Sequence, residues 1–316
     1  MQLKELGEFG LIAMIRDKAA RIPSPGCEGI GDDCAVIPAG ESDSLVVTTD
    51  MLVEDIHFLR SAAPAYLLGR KSLAVNLSDV AAMGARPVAS FLSVSLPPDV
   101  DAEWASAFTD GYLALSGEFG VPLLGGDTTA SADRIAISVT AVGRVRNDRI
   151  KRRSAALPGD VVLVSGELGG SAQGLRDILS GRTDTEFARL HHDPAPCVRE
   201  GAWLGACPGV HAMMDLSDGL ASDLGHILKA SGVGAEIFLD RIPARVPAEL
   251  AVTGGEDYRL LLTAAAEQAG PLRDEYLKEF GRPLYEIGKI GVGHSEIQWF
   301  SDGKRIRPDW KGFRHF

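Results

Sequence analysis

Apolar and polar positions alternate in blocks that predict alternating strands and helices. Leu6, Phe9, Ile12 and Ile15 fall on one side of an amphipathic helix over residues 5–20, which Ile22-Pro-Ser-Pro-Gly breaks. A glycine turn with two acids, Gly29-Ile-Gly-Asp32-Asp33, leads into a short strand, and Leu45-Val-Val-Thr48-Thr49-Asp50 reads as a strand ending in two hydroxyls and a carboxylate. The stretch from Arg70 to Pro87 differs from its neighbours. Leu73, Leu77 and Val80 repeat at helical spacing, and the residues from Leu73 to Met83 are apolar or small nearly all round. That pattern predicts a buried helix, begun at Pro64 and capped at Gly84. It nevertheless carries Asp79, on a stripe with Ser72, Asn76 and Met83. A buried carboxylate needs a cation, donors or a metal.

Further on, Val88–Leu96 reads as a strand, Ala102–Phe119 as a helix, and Val121-Pro-Leu-Leu as a strand running into the turn Gly125-Gly126-Asp127. Ile135–Val145 alternates as another strand. The basic segment ending in Pro158-Gly159 marks a boundary, dividing the chain into 1–148 and 149–316. Beyond it, Val161–Val164 enters a glycine turn and a helix. Ala212-Met-Met-Asp215 ends a short strand before Leu-Ser217-Asp218-Gly and a helix to Ser231. Gly254-Gly-Glu256-Asp-Tyr feeds the strand Leu260–Leu262. Asn76-Leu-Ser-Asp79 and Asp215-Leu-Ser-Asp218 echo each other across the two halves.

The chain has 316 residues, 45% hydrophobic and 24% charged, which suits a soluble α/β protein of two domains. The net charge of −11 argues against a nucleic-acid or anionic-membrane binder. Four cysteines without CxxC spacing are expected as reduced thiols, and without a signal peptide or bilayer-length apolar run the expectation is cytoplasmic. Acids at strand ends (Asp50, Asp127, Asp215), joined by Asp33 and Asp79 and by the Thr48 and Thr49 hydroxyls, form a hard oxygen set suited to Mg²⁺. P-loop, GxGxxG, GxSxG and zinc spacings are missing from the sequence. Metal-bearing carboxylates on an acidic chain fit phosphoryl transfer.

Read in order, Gly29-Ile-Gly-Asp-Asp33, Thr48-Thr-Asp50, His57-Phe58, Lys71-Ser-Leu-Ala-Val-Asn76-Leu-Ser-Asp79, Gly125-Gly-Asp127-Thr-Thr, Asp215-Leu-Ser217-Asp218-Gly, Gly254-Gly-Glu256-Asp-Tyr and Asp309-Trp310-Lys-Gly-Phe resemble the thiamine-monophosphate kinase family. That family lies within the superfamily of aminoimidazole ribonucleotide synthetases, selenophosphate synthetases and hydrogenase-maturation proteins. The resemblance spans the whole chain. It implies transfer of the ATP γ-phosphoryl group to thiamine monophosphate, in a two-domain α/β fold whose N-terminal sheets pair into a barrel-like homodimer. It implies that Asp33, Thr48, Thr49, Asp50, Asp79, Asp127, Asp215 and Asp218 hold several Mg²⁺ ions. It assigns Gly126, Asp127, Arg153 and Ser217 to ATP, and His57, Glu256 and Trp310 to thiamine monophosphate. Asp127 and Asp218 are the implied catalytic pair. Two departures touch none of these positions: Arg259 where the family has an acid, and Asp55 where its loop often has glycine. The rival superfamily chemistries want a reactive N-terminal thiol or a C-terminal cysteine, and this chain ends in Arg-His-Phe.

Overall fold

A computed structural model describes residues 3–293, 295–308 and 310. The Asp309 and Lys311–Phe313 part of the tail motif lies outside the described residues. Two short helices, α1 (Leu3–Leu6) and α2 (Glu8–Ala19), precede β1 (Ala35–Pro38), β2 (Asp43–Val53), α3 (Ala65–Ala82), β3 (Arg86–Leu96), α4 (Ala102–Phe119), β4 (Leu123–Ala130) and β5 (Ala136–Arg146). The second half runs β6 (Val161–Val164), α5 (Gly170–Leu179), α6 (Glu186–His192), α7 (Val198–Gly205), β7 (Val210–Asp215), α8 (Leu220–Ser231), β8 (Gly234–Phe238), α9 (Ala248–Thr253), β9 (Leu260–Ala264), α10 (Ala266–Phe280), β10 (Tyr285–Gly291), β11 (Ile297–Ser301) and β12 (Lys304–Ile306). The strands form a five-stranded sheet, ordered β1-β2-β5-β3-β4, and a seven-stranded sheet, ordered β12-β11-β8-β10-β6-β9-β7.

The helix α3 belongs to both halves. Leu73, Leu77 and Val80 are fully buried in the core beneath the first sheet, with Val46, Ile137 and Tyr112. Ala81 and Ala82 instead join the core of the second sheet, with Leu163, Met213 and Leu260. The helix ends as its sequence demands: Gly84 takes the left-handed conformation, φ 72, that a side chain resists. Pro64 stands one residue before the first helical turn rather than inside it. The two halves meet through small residues. A side chain at Gly201 on α7 would meet the Ala81 carbonyl oxygen at 2.2 Å, so only glycine permits that approach.

Two acids stand elsewhere than at strand ends. Asp50 lies inside β2, which continues to Val53 because it pairs with β5 over its whole length. Asp127 lies inside β4, where Gly125 and Gly126 are part of the strand rather than a turn. Among the described residues β4 is an edge strand, paired with β3 alone. An edge accommodates glycines, and Thr128 and Thr129 carry the strand on. Asp215 does end β7, as expected. The helix α9 has no counterpart in the sequence reading.

Candidate active site

The acids converge where α3 passes under β2 and faces β7. Carboxylate oxygens of Asp33, Asp79 and Asp215 all lie within 4.8 Å of one another. Each comes from a different element: the turn before β1, the middle of the last half of α3, and the end of β7. Neighbouring groups hold them in place. Thr48 Oγ1 donates to Asp79 Oδ2 at 2.5 Å. Ser78 Oγ donates to Asp215 Oδ2 at 2.6 Å, joining the two echoed motifs across the halves. The Asp50 backbone N–H donates to Asn76 Oδ1 at 3.1 Å, and Asn76 Nδ2 donates to the Ser72 carbonyl at 3.1 Å. Asn76, fully buried, thus pins β2 to α3 beside the acids.

The electrostatics show the strain of this gathering. Burial and then neighbouring carboxylates push Asp215 up to about 7 and Asp50 up to about 6. Asp79 is raised for the same reasons, desolvation first, then Asp50. Arg153 is the compensating cation: its Nη2 donates to Asp33 Oδ1 at 2.5 Å, and its Nε stands 3.7 Å from Asp32. Asp33 Oδ2 is nevertheless buried without a hydrogen-bond partner. An orphaned carboxylate oxygen within a cluster of hard oxygen donors fits a divalent cation.

Beside this cluster opens a cavity of about 650 Å³. Thr49, Asp50, His57, Asp79, Asp215, Ser217, Asp218 and Glu256 line it, so most of the sequence-derived site residues share one space. Part of its wall is apolar, with Leu52, Phe58, Leu59 and Val75. His57 Nδ1 accepts from the Val53 N–H at 2.9 Å, which fixes the ring and its tautomer. Asp55, before it, has φ 67, the conformation that glycine favours and Asp tolerates. Asp223 Oδ2 accepts from the backbone N–H groups of Asp218 and Gly219 at 3.1 and 3.0 Å, which shapes the turn that presents Asp218.

Two groups of expected residues stand apart. Gly126 and Asp127 line a separate groove between β4 and α4, with Trp104 and Phe108. Asp127 pairs through Ser93 and Ser138 with Met51, so three strand spacings, about 14 Å, separate it from β2. Trp310 packs against Trp299 at 5.5 Å between ring centroids, in the core of the second sheet.

Two residues without a role in the sequence reading line the same cavity. Lys71 is 3% exposed, lines the cavity, and sits 3.1 Å from Glu256 Oε1. His191 lines it too, with Nδ1 3.3 Å from Glu256 Oε2 and 3.0 Å from Ser171 Oγ. A lysine at the head of a largely apolar helical run was the available signal for the first. The second had none beyond a His-His pair in a polar segment.

The chain matches the family model described as AIR synthase related protein, N-terminal domain, over residues 31–145, and the C-terminal domain model over 158–300. The thiamine-monophosphate kinase of Escherichia coli (strain K12) is 39% identical over 327 residues, covering 98% of each chain. That of Salmonella typhimurium is 38% identical over 326 residues, again covering 98% of each. Among solved structures, AaThiL complexed with AMPPCP and TMP is 34% identical, with a TM-score of 0.86 over 100% of this chain and 99% of that one. A full-length likeness at this identity, carried by both domain models, makes the chain a member of the thiamine-monophosphate kinase family, within the AIR synthase related proteins.

Proposed function

We propose that this chain transfers the γ-phosphoryl group of ATP to the phosphate of thiamine monophosphate, giving thiamine diphosphate, by direct in-line displacement at the Asp33–Asp79–Asp215 cluster. The convergence of three carboxylates from separate elements at one end of an apolar-walled cavity carries the reading. The family relatives, one of them solved with AMPPCP and TMP, support the substrates. Asp33, Asp50, Asp79, Asp215 and Asp218, with Thr48 and Thr49, would hold Mg²⁺. When bound, Mg²⁺ supplies the positive charge that lets two phosphate groups approach. The chain's part is positioning. Ser78, Thr48 and Asn76 fix the carboxylates, Arg153 balances Asp33, and Leu52, Phe58 and Val75 exclude water beside a flat acceptor. Ser217, at the turn after β7, and Arg153 would contact ATP, while His57 and Glu256 would contact the acceptor.

We also propose that two copies pair through the first sheet. Its outer face exposes Met51 (57%), Val88 (42%) and Phe91 (38%), and Leu124 on β4 is 63% exposed. Apolar residues on an open sheet face call for a cover. Asp127 lies on the same side of the sheet as Phe91 and Ser93. A facing sheet would carry Gly126 and Asp127 to the acid cluster of the other copy, which accounts for their separation from β2 within one chain.

Purified protein with ATP, Mg²⁺ and thiamine monophosphate should produce ADP and thiamine diphosphate in equal amounts, read by chromatography. Failure to form thiamine diphosphate at saturating substrates would sink the assignment. Phosphate release in place of transfer would sink it equally.

A further inference from the structure

On α3 the residues Lys71, Val75 and Asp79 follow one another at i, i+4 and i+8, and all three line the same cavity. At the helix rise of 1.5 Å per residue, Lys71 stands about 12 Å along the axis from Asp79. The helix therefore presents a carboxylate at the end where phosphates would sit, an apolar middle, and a cation at the far end.

That far end is built. Lys71 Nζ lies 3.1 Å from Glu256 Oε1 and 3.2 Å from Oε2, gripping both carboxylate oxygens. His191 Nδ1 lies 3.3 Å from Glu256 Oε2 and 3.0 Å from Ser171 Oγ. A carboxylate ion only accepts, so the tautomer that suits this contact carries its proton on His191 Nδ1 and leaves Nε2 as an acceptor. Burial, reinforced by the Lys71 charge, holds His191 down at about 4, so the ring is neutral at physiological pH. Glu256 itself occupies a left-handed backbone conformation, φ 64, and Tyr258 another, φ 48. Such conformations persist where the surroundings over-determine them, and they gather at ligand sites.

We propose that Lys71, Glu256 and His191 together read the acceptor, selecting a phosphate monoester that carries an amino-substituted nitrogen heterocycle at its far end. The set offers two acceptors, the Glu256 carboxylate and His191 Nε2, beside one donor, the Lys71 ammonium. An exocyclic amino group supplies N–H donors to the acceptors, and an adjacent ring nitrogen accepts from Lys71. A second phosphate there would meet the Glu256 charge. A purely aliphatic tail would leave His191 Nε2 and the remaining hydrogen-bonding capacity of Glu256 and Lys71 unmet. Glu256 touches the ring directly, as does the His191 imidazole, while Lys71 also acts as a positioning residue that fixes the Glu256 rotamer. The inference rests on the acceptor reading above, since thiamine monophosphate carries an aminopyrimidine opposite its phosphate.

The test compares thiamine monophosphate with its analogue in which the pyrimidine amino group is replaced by an oxo group. The oxo group turns a donor into an acceptor and leaves the phosphate end untouched. The wild-type kcat/KM should favour the amino acceptor by at least about 100-fold. In His191→Asn, whose amide keeps the donor to Glu256 and loses the Nε2 acceptor, the preference should fall below about tenfold. Lys71→Met should erode it similarly, with the acceptor KM rising more than kcat falls. Melting curves for both variants establish that they fold. Wild-type discrimination that survives unchanged in a folded His191→Asn places the reading elsewhere and overturns the inference, as does a wild type indifferent to the two acceptors. A wild type inactive on thiamine monophosphate itself removes the acceptor reading along with it.

Discussion

Replacing Asp215 by Asn should stabilise the metal-free protein at neutral pH while abolishing turnover. Asp215 is 3% exposed, and its Oδ2 accepts from Ser78 Oγ at 2.6 Å. Burial first, and then the Asp33 charge, push its carboxyl up to about 7. Keeping it ionised above that pH costs the folded chain roughly 4 kcal/mol relative to the unfolded one. Asp33, Asp50 and Asp79 share the same repulsion, so neutralising one group recovers about half, ~2 kcal/mol. The sign follows from linkage. The folded state holds the proton more tightly than the unfolded state does, so this group's contribution is most favourable near pH 4. It declines as pH rises and is lost through pH 7. Asn is an uncharged isostere whose carbonyl still accepts from Ser78. In the presence of a chelator, Asp215→Asn should therefore melt above wild type at pH 8 by roughly 4–8 °C. The two should converge near pH 4. Calorimetry over that range checks it. A variant that melts at or below wild type at pH 8, or a gap that widens toward pH 4, refutes the claim that desolvated negative charge dominates this site.

Mg²⁺ should raise the wild-type melting temperature more at pH 8 than at pH 5.5, because the ion must displace the protons that the raised carboxyls of Asp50 and Asp215 retain; equal gains at the two pH values would contradict the metal role. Asn76→Ala removes the acceptor of the Asp50 N–H and should lower stability by about 1–2 kcal/mol, read by urea denaturation, with weaker Mg²⁺ binding alongside. Gly126→Ala would bring a Cβ to 1.6 Å from the Leu92 carbonyl oxygen, so β4 must leave its register. A melting temperature within a degree or so of wild type would contradict that geometry. Asp79→Asn and Asp127→Asn should each be inactive alone, yet activity should return when the two are refolded together, because one site of each mixed dimer would then be intact. Failure to regain activity would place Asp127 and Asp79 in the same chain's site.

The fold was legible wherever pattern decides structure. The helix α4 runs over Ala102–Phe119 as expected, and Asp101, which accepts from the Trp104 N–H, supplies its cap. Helix α3 was legible because a run of small and apolar residues has no other stable placement. The strand ends were not. Asp50 and Asp127 interrupt apolar runs, and a single sequence cannot tell an acid that ends a strand from one carried inside it by pairing with β5 or β3. Of the site, the acids and Glu256 were legible from glycine-flanked motifs. Lys71, His191 and Ser78 were not, because each gains its meaning from a partner distant in sequence: Glu256 for the first two, Asp215 for the third.

The same dependence between distant parts of the chain explains why one of the acids, Asp79, is carried on a helix shared by both cores. Asp33, Asp79 and Asp215 repel one another, so whatever holds them must resist their separation. A loop would yield. The helix α3 cannot move away from β2 without exposing Leu73 and Leu77, nor from β7 without exposing Ala81 and Ala82. Burying a Leu side chain is worth about 2 kcal/mol, and several such residues anchor the helix on its N-terminal-domain side alone. Packing on both sides therefore holds Asp79 beside Asp33 and Asp215 before any cation arrives. Preorganisation of this kind lets an ion bind without ordering the chain, and it sets the Lys71 end of the same rigid helix at a fixed distance from the phosphates.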